Sequence, residues 1–183
     1  MTAEELLERY AAGERDFSGI TILAGNLIKA ELTGINLSNA TLSGTSFIGA
    51  ILDDANLSGI YMDGGDFTRA ELFGANLYKA MLDGCDFIGA NLREANMSDT
   101  MLGDACLDAA LFYRANLTGS NMRGSSRCGT NFKEACLQNA VLESGISAAN
   151  FTDANLLGAR DFAPSKTDII CRTTMPDGSV ISV

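Results

Sequence analysis

Four aspartates have the residue type and the spacing that come closest to a chemical site. Asp63 lies 20 residues before Asp83, and Asp66 lies 20 residues before Asp86. Paired carboxylates that share a pocket can act as general acid and base, or hold a cation. The sequence contains no histidine, which removes the commonest general base and metal ligand. The four aspartates are therefore a catalytic pair, a weak cation site, or an acidic surface that is solvated or binds a partner.

The other chemistry-bearing residues form no motif of a known site. No GxSxG, Walker or dinucleotide-binding pattern occurs, and none of the five cysteines forms a CxxC pair. Buried free thiols usually behave as small hydrophobic residues, so we expect the cysteines to be unpaired. We predict that the protein is not an enzyme and that it has no catalytic, metal or cofactor-binding residues and no cofactor.

Composition restricts the partners of the protein. The chain has 183 residues, 46% of them hydrophobic, and a net charge of −10, which fits one acidic domain with a buried core. Binding to nucleic acid needs a basic surface, so it is not expected. No apolar run reaches the roughly 20 residues of a membrane span, and the acidic start lacks the basic region of a signal peptide. We expect a cytoplasmic protein that binds neither nucleic acid nor membrane.

A repeat of five residues must position the aspartates. From Phe17 to Leu142, 25 of the 26 positions that are five apart hold Leu, Phe, Met or Ile, and the exception is Arg127. Two residues before these positions the side chain is usually small, and 14 of the 26 are alanine. A period of five would smear apolar residues around an α-helix and alternate them between the faces of a strand. A chain that turns a corner every five residues keeps all of them inside.

A second period, of 20 residues, predicts four sides in each coil. Outward asparagines recur at this spacing at Asn36, Asn56, Asn76, Asn96 and Asn116. Inward phenylalanines do the same at Phe47, Phe67 and Phe87. In this register the four aspartates point outward along the edge between two adjacent sides. A filled, convex rod offers little pocket there, which favours a solvated or partner-binding acidic patch over a catalytic site.

The same register predicts an exposed apolar strip beside the aspartates. Tyr61, Met81 and Met101 are outward residues that lie one above another on one side. Two interpretations are open. They are either β-favouring side chains that pack along a sheet surface, or a face for a partner or for self-association.

Several tandem units carry a resemblance to a known family. Ala55-Asn56-Leu57-Ser58-Gly59 and Ala115-Asn116-Leu117-Thr118-Gly119 resemble the pentapeptide-repeat family, and the resemblance extends over residues 15–161. The flanking segments 7–17 and 175–178 are similar to those of cyanobacterial members. The resemblance implies an all-β fold, a right-handed quadrilateral β-helix, and it supplies the handedness that periodicity alone does not.

The family also implies a function. The leading hypothesis is a non-catalytic protein-interaction module, a rigid acidic solenoid that binds a partner protein through one side. The alternative is a DNA-mimic inhibitor of a type II topoisomerase, as some members are. Those members dimerise through a C-terminal helix, whereas this tail is predicted as β, and residues 111–140 carry a net charge of +3. The oligomeric state is left open, with a monomer slightly favoured.

Three parts of the chain are expected, with two irregularities. They are an N-terminal helical cap (1–14), a β-helix of about seven coils (15–162) and a β-prone C-terminal tail (163–183). Thr2 and Glu5 form a capping-box pattern that predicts the helix.

A buried unpaired guanidinium is costly, so we expect a bulge at residues 125–129 that turns Arg127 outward. One residue is missing from the repeat after Leu142, which predicts a distorted corner near Gly145.

Overall fold

A computed structural model describes residues 1–143 and 148–182, and most of them form a solenoid. Its backbone pairing consists of parallel bridges between residues 20 apart, such as Asn56 with Asn76 and Asn76 with Asn96. In the described ranges no strand is longer than one such bridge. A bridge at every fifth residue and a coil of 20 residues together give four sides, as the two sequence periods predict.

We number the four sides I to IV in the order of the chain. In the coil that starts at Asn56, the bridge residue is Asn56 on side I, Tyr61 on side II, Asp66 on side III and Glu71 on side IV. Each bridge residue points outward, and the next residue along the chain points inward. The coils lie about 4.8 Å apart, which is the spacing of paired strands.

One helix, α1 (Ala3–Ala11), closes the N-terminal end of the solenoid. The capping box is present: the Thr2 hydroxyl accepts a hydrogen bond from the Glu5 N–H, and the Glu5 carboxylate accepts one from the Thr2 N–H. Leu6 is fully buried and Tyr10 packs partly buried on the core. In the described part of the chain no helix is long and apolar enough to cross a membrane.

Tight turns form the corners of each coil. The carbonyl of an inward Leu, Phe or Met accepts a hydrogen bond from the N–H three residues later, as from Ala110 to Leu107 at 3.0 Å. The third residue of this turn is left-handed, with φ of 57° at Ala109 and 64° at Gly59. A left-handed residue at this position of a β-turn favours glycine, so other residue types carry a conformational cost there.

Stacked apolar columns fill the interior. Three phenylalanine rings lie face to face on side III, with centroids 5.1 Å apart between Phe47 and Phe67 and 4.9 Å apart between Phe67 and Phe87. All three are fully buried. A second stack, of Phe112, Phe132 and Phe151, runs up side IV. The inward positions predicted from the period of five are the core of the protein.

Arg127 lies inside the solenoid, so the expected bulge is wrong. Ser126 keeps its bridge to Cys106, and the regular backbone holds the Arg127 side chain inward with 6% of its surface exposed. Its Nη2 donates to the Glu143 carbonyl at 2.8 Å, whereas Nε and Nη1 have no hydrogen-bond partner in residues 1–143 and 148–182. Burial lowers the pKa of Arg127, and the Asp168 carboxylate partly opposes this effect.

The coils shorten by one residue toward the C-terminus. The bridge from Asn131 reaches Asn150, and the one from Cys136 reaches Asn155, so these partners are 19 residues apart. This agrees with the loss of one residue from the repeat, although the predicted corner at Gly145 itself lies outside the described residues.

The tail continues the solenoid and then folds back on it. Thr174 bridges in parallel to Asn155 and antiparallel to Val180. The Gly178 N–H donates to the Met175 carbonyl at 2.9 Å and closes a turn between them. The sequence Pro176-Asp177-Gly178 is typical of such a turn.

Candidate functional site

A shallow depression on side II joins the predicted apolar strip to the predicted acidic patch. Its volume is about 230 Å³, and it is lined by Tyr61, Met62, Asp63, Met81 and Asp83. Apolar and acidic columns meet here because bridge residues and the residues two positions later point to the same outer face. The depression is open to solvent along its length.

The apolar strip is exposed along three consecutive coils. Tyr61 is 45% exposed, Met81 is 44% exposed and Met101 is 38% exposed. Parallel bridges join Tyr61 to Met81 and Met81 to Met101, so the backbone holds these side chains at strand spacing. Their packing along the sheet, the first of the two interpretations, leaves a large part of each side chain accessible.

A buried thiol, that of Cys85, lies at the corner between sides II and III. The Cys85 Sγ is fully buried and donates to the Met62 carbonyl at 3.2 Å. Burial raises the pKa of the Cys85 thiol to about 11, and the carboxylates of Asp63, Asp86 and Asp83 add to the rise. This thiol therefore stays protonated near neutral pH.

Backbone hydrogen bonds orient two of the four carboxylates. The Asp66 Oδ1 accepts from the Thr68 N–H at 2.8 Å, and the Asp83 Oδ1 accepts from the Gly103 N–H at 2.7 Å. None of the four aspartates has an ion-pair partner in the part of the chain that the structure describes. Two of the four negative charges are therefore oriented, and none of the four is neutralised by an ion pair within these residues.

The column of Asp63 and Asp83 ends at a cation that is engaged elsewhere. Two coils above Asp83, this column holds Arg123, whose Nε lies 3.3 Å from Glu143 and whose Nη2 lies 3.1 Å from Asp161. Arg123 therefore does not offset the charge of the two aspartates. The negative potential of the corner is directed at solvent.

The depression is an open surface rather than an enclosed pocket. In residues 1–143 and 148–182, no group of three or more His, Cys, Asp or Glu side chains could hold a metal ion. Beside the two carboxylates, the depression is lined by the Tyr61 phenol and the Met62 and Met81 thioethers, and it is shallow and open to solvent. What it offers is an apolar surface with an oriented row of negative charge next to it.

Two features of this surface were missed by sequence reasoning. Ile88, two residues after Asp86, is 43% exposed and places an apolar side chain on side III. Its outward register was a signal that could have identified it. Gly64 and Gly84 form the corner with φ of 64° and 67°, and they bring the two aspartate columns around it without a side chain between them.

The sequence matches the pentapeptide-repeat family. The family model, described as pentapeptide repeats, matches residues 30–69, 70–110 and 110–144 with eight copies. These segments cover more than half of the chain, so the protein belongs to the pentapeptide-repeat family, as its tandem units suggested. Membership implies the right-handed quadrilateral form of the β-helix. No curated protein matches the chain.

Solved structures of similar fold include two proteins from a cyanobacterium. HetL, a pentapeptide repeat protein involved in heterocyst differentiation regulation from Nostoc sp. strain PCC 7120, is 27% identical over 99% of this chain and 100% of that chain, with a TM-score of 0.26. The pentapeptide repeat protein alr5209 from Nostoc PCC 7120 is 27% identical over 70% and 93%, with a TM-score of 0.28. A trypsin-treated form of QnrB1, a plasmid-mediated fluoroquinolone resistance protein, is 19% identical over 85% of each chain, with a TM-score of 0.47. Because these TM-scores are low, the likenesses carry no argument about what this protein binds.

Proposed function

We propose that the protein is a non-catalytic interaction module that binds a partner protein through side II and the adjoining corner of side III. The observation that carries this proposal is the group of four carboxylates, none of which has an ion-pair partner within residues 1–143 and 148–182, beside three exposed apolar side chains. Interaction surfaces combine an apolar centre with charged groups that steer and orient the partner. The backbone ladder holds both columns fixed, so little conformational entropy is lost on binding.

The cysteines support a proposal about cellular location. All five are free, and free thiols persist in reducing compartments. We therefore propose the cytoplasm, and a monomer as the binding form.

A set of neutralising substitutions tests the proposed side. The variant Asp63→Asn/Asp83→Asn removes two charges from side II, whereas Glu31→Gln/Glu71→Gln removes two charges from the opposite side IV. Wild type and both variants are immobilised, and the proteins that they retain from an extract of the native host are quantified. We expect a partner retained by wild type to lose roughly tenfold or more in affinity for the side II variant and nothing for the side IV variant. Equal retention by all three proteins would exclude side II.

A DNA-mimic inhibitor of a type II topoisomerase is the second candidate, and it depends on the same carboxylates. The acidic columns repeat at about 4.8 Å along a rod, which presents regularly spaced negative charge. Arg123 interrupts this charge two coils above Asp83. A supercoiling assay with purified gyrase separates the candidates. Inhibition by wild type that Asp63→Asn/Asp83→Asn abolishes would support mimicry. If wild type does not inhibit the gyrase, the interaction module remains the proposed function.

A further inference from the structure

We infer that the occupant of the side II depression is a cationic amphipathic segment of the partner protein, in which an apolar and a basic residue lie two positions apart. This inference rests on the proposed function and names the chemistry of the partner at the same surface. It uses three properties of the depression: its apolar column, its unpaired charge and the distance between them.

The apolar column needs an apolar counterpart. Tyr61 and Met81 present nearly half of their surfaces to solvent, and both line the depression. Methionine is flexible and polarisable, so it adapts to side chains of different shape, and tyrosine adds a rigid ring. A wholly polar, cationic segment would leave this surface in water and gain nothing from it.

The acidic column needs positive charge. Asp83 is oriented by the Gly103 N–H, and Asp63 lies one coil away without an ion-pair partner in the described ranges. A bound segment that lacked basic residues would cover carboxylates without compensating them, which costs binding energy. Arginine suits this position because its planar guanidinium can pair with a carboxylate through two hydrogen bonds.

The distance between the columns sets the pattern of the segment. Met81 and Asp83 are two residues apart on an extended backbone, about 6.6 to 6.8 Å. An extended segment that lies along the same coil matches this distance when its own apolar and basic residues are also two apart. Beyond the corner, side III holds Asp86 and the exposed Ile88, which can accept a further basic and apolar pair.

Synthetic peptides test the inference without knowledge of the partner. One peptide alternates leucine and arginine at every second position, with serine between them. The second replaces each leucine by serine, and the third replaces each arginine by glutamate. Binding of each peptide to the full-length protein is measured by fluorescence anisotropy at low and high salt, with wild type, Asp63→Asn/Asp83→Asn, Met81→Ser, and Glu31→Gln/Glu71→Gln as the control.

We expect only the leucine–arginine peptide to bind well. Its dissociation constant should rise roughly tenfold or more for both side II variants and with salt, and it should stay unchanged for the side IV variant. If the second peptide, in which serine replaces each leucine, binds equally well, binding depends on charge alone and the inference is overturned. Binding that the side IV variant weakens as much as the side II variants, or no binding at all, would overturn it too.

Two further results show whether a second copy of the chain is the occupant, and whether the proposed function fails together with this inference. Sedimentation that shows a wild-type dimer which Met81→Ser dissociates would make a second copy of the chain the occupant, and the inference would be wrong. If the peptides fail while the side II variant still loses its partner from the host extract, the proposed function stands and only the partner chemistry is wrong.

Discussion

The middle coils and the C-terminal coils of the solenoid differ in whether their acidic residues form ion pairs. Residues 51–110 contain eleven acidic and three basic residues, and none of these acids belongs to an ion pair within the described ranges. Beyond this segment, acidic residues pair with arginines one coil away or further. Arg114 contacts Glu134 at 2.8 Å, and Arg172 Nη2 contacts Asp153 at 2.5 Å.

The interiors differ as well. In the middle coils side III is filled by the Phe47, Phe67 and Phe87 rings, whereas Arg127 occupies the same inward column further on. The coil around Arg127 also buries three hydroxyls, those of Ser120, Ser125 and Thr130, each of which donates to a carbonyl, whereas residues 51–110 bury one, that of Thr100. The middle coils therefore depend on apolar packing, which leaves their surface charges available to a partner. The C-terminal coils use charge to hold neighbouring coils together.

The largest effect should follow from opening the apolar interior of the middle coils. Phe67→Ala removes a ring between two others, and we expect the free energy of unfolding to fall by about 3–5 kcal/mol. Phe73→Ala makes the same chemical change at a position that is 41% exposed, where we expect a change within about 0.5 kcal/mol. Urea denaturation of both variants measures the difference. Similar losses at the two positions would mean that the inward and outward positions have been assigned wrongly.

The polar interior of the C-terminal coils should give a smaller change of opposite sign. Arg127→Leu places in the column the residue that Leu107 provides one coil earlier. Exchange of a buried, incompletely paired charge for an apolar residue of fitting shape is often stabilising, and we expect a gain of about 1–3 kcal/mol in the free energy of unfolding. Arg127→Ala is the control that leaves a void and should be less stable than Arg127→Leu. A loss with Arg127→Leu would show that its contacts with Glu143 and Asp168 outweigh the cost of burial.

Both regions share the corner turns, which should respond in the same way anywhere in the solenoid. Ala109 has φ of 57° and is exposed, whereas Ala110 points inward and is fully buried. Glycine adopts the left-handed conformation without strain, but it also has greater conformational entropy in the unfolded chain, which opposes this gain. We therefore expect Ala109→Gly to raise the free energy of unfolding by up to about 1 kcal/mol. Ala110→Gly removes a buried methyl group and should lose about 1 kcal/mol or more. Thermal unfolding of this adjacent pair measures the contrast, and a gain at Ala110 would contradict the turn assignment.

Much of this architecture could be predicted from two sequence periods. The period of five assigns Phe67 to the interior and Asp66 to the surface, because only a corner at every fifth residue keeps all large apolar residues together. The period of 20 then stacks Asp66 below Asp86 and Met81 above Tyr61. These predictions need no long-range information, since each coil repeats the geometry of the one before it.

Arg127 could not be predicted in the same way. The cost of burying this guanidinium predicted a bulge. The surrounding backbone instead keeps its regular bridges, and the groups that interact with the guanidinium lie far along the chain. Glu143 lies 16 residues away and Asp168 lies beyond the change of coil length. The pairing of charges in the C-terminal coils is equally hidden, because it depends on which side chains meet across neighbouring turns.

The most direct test of the difference between the two regions is the sign of the change in stability that two charge-neutralising substitutions cause. Asp86→Asn removes a middle-coil carboxylate that is stacked on Asp66, and Glu134→Gln removes one that pairs with Arg114. The free energy of unfolding of each variant is measured by urea denaturation at low and high salt. We expect Asp86→Asn to be more stable than wild type at low salt and Glu134→Gln to be less stable, with both differences shrinking at high salt. A loss of stability with Asp86→Asn that salt does not change would show that this carboxylate is already satisfied within the protein, and the middle coils would then not hold free charge for a partner.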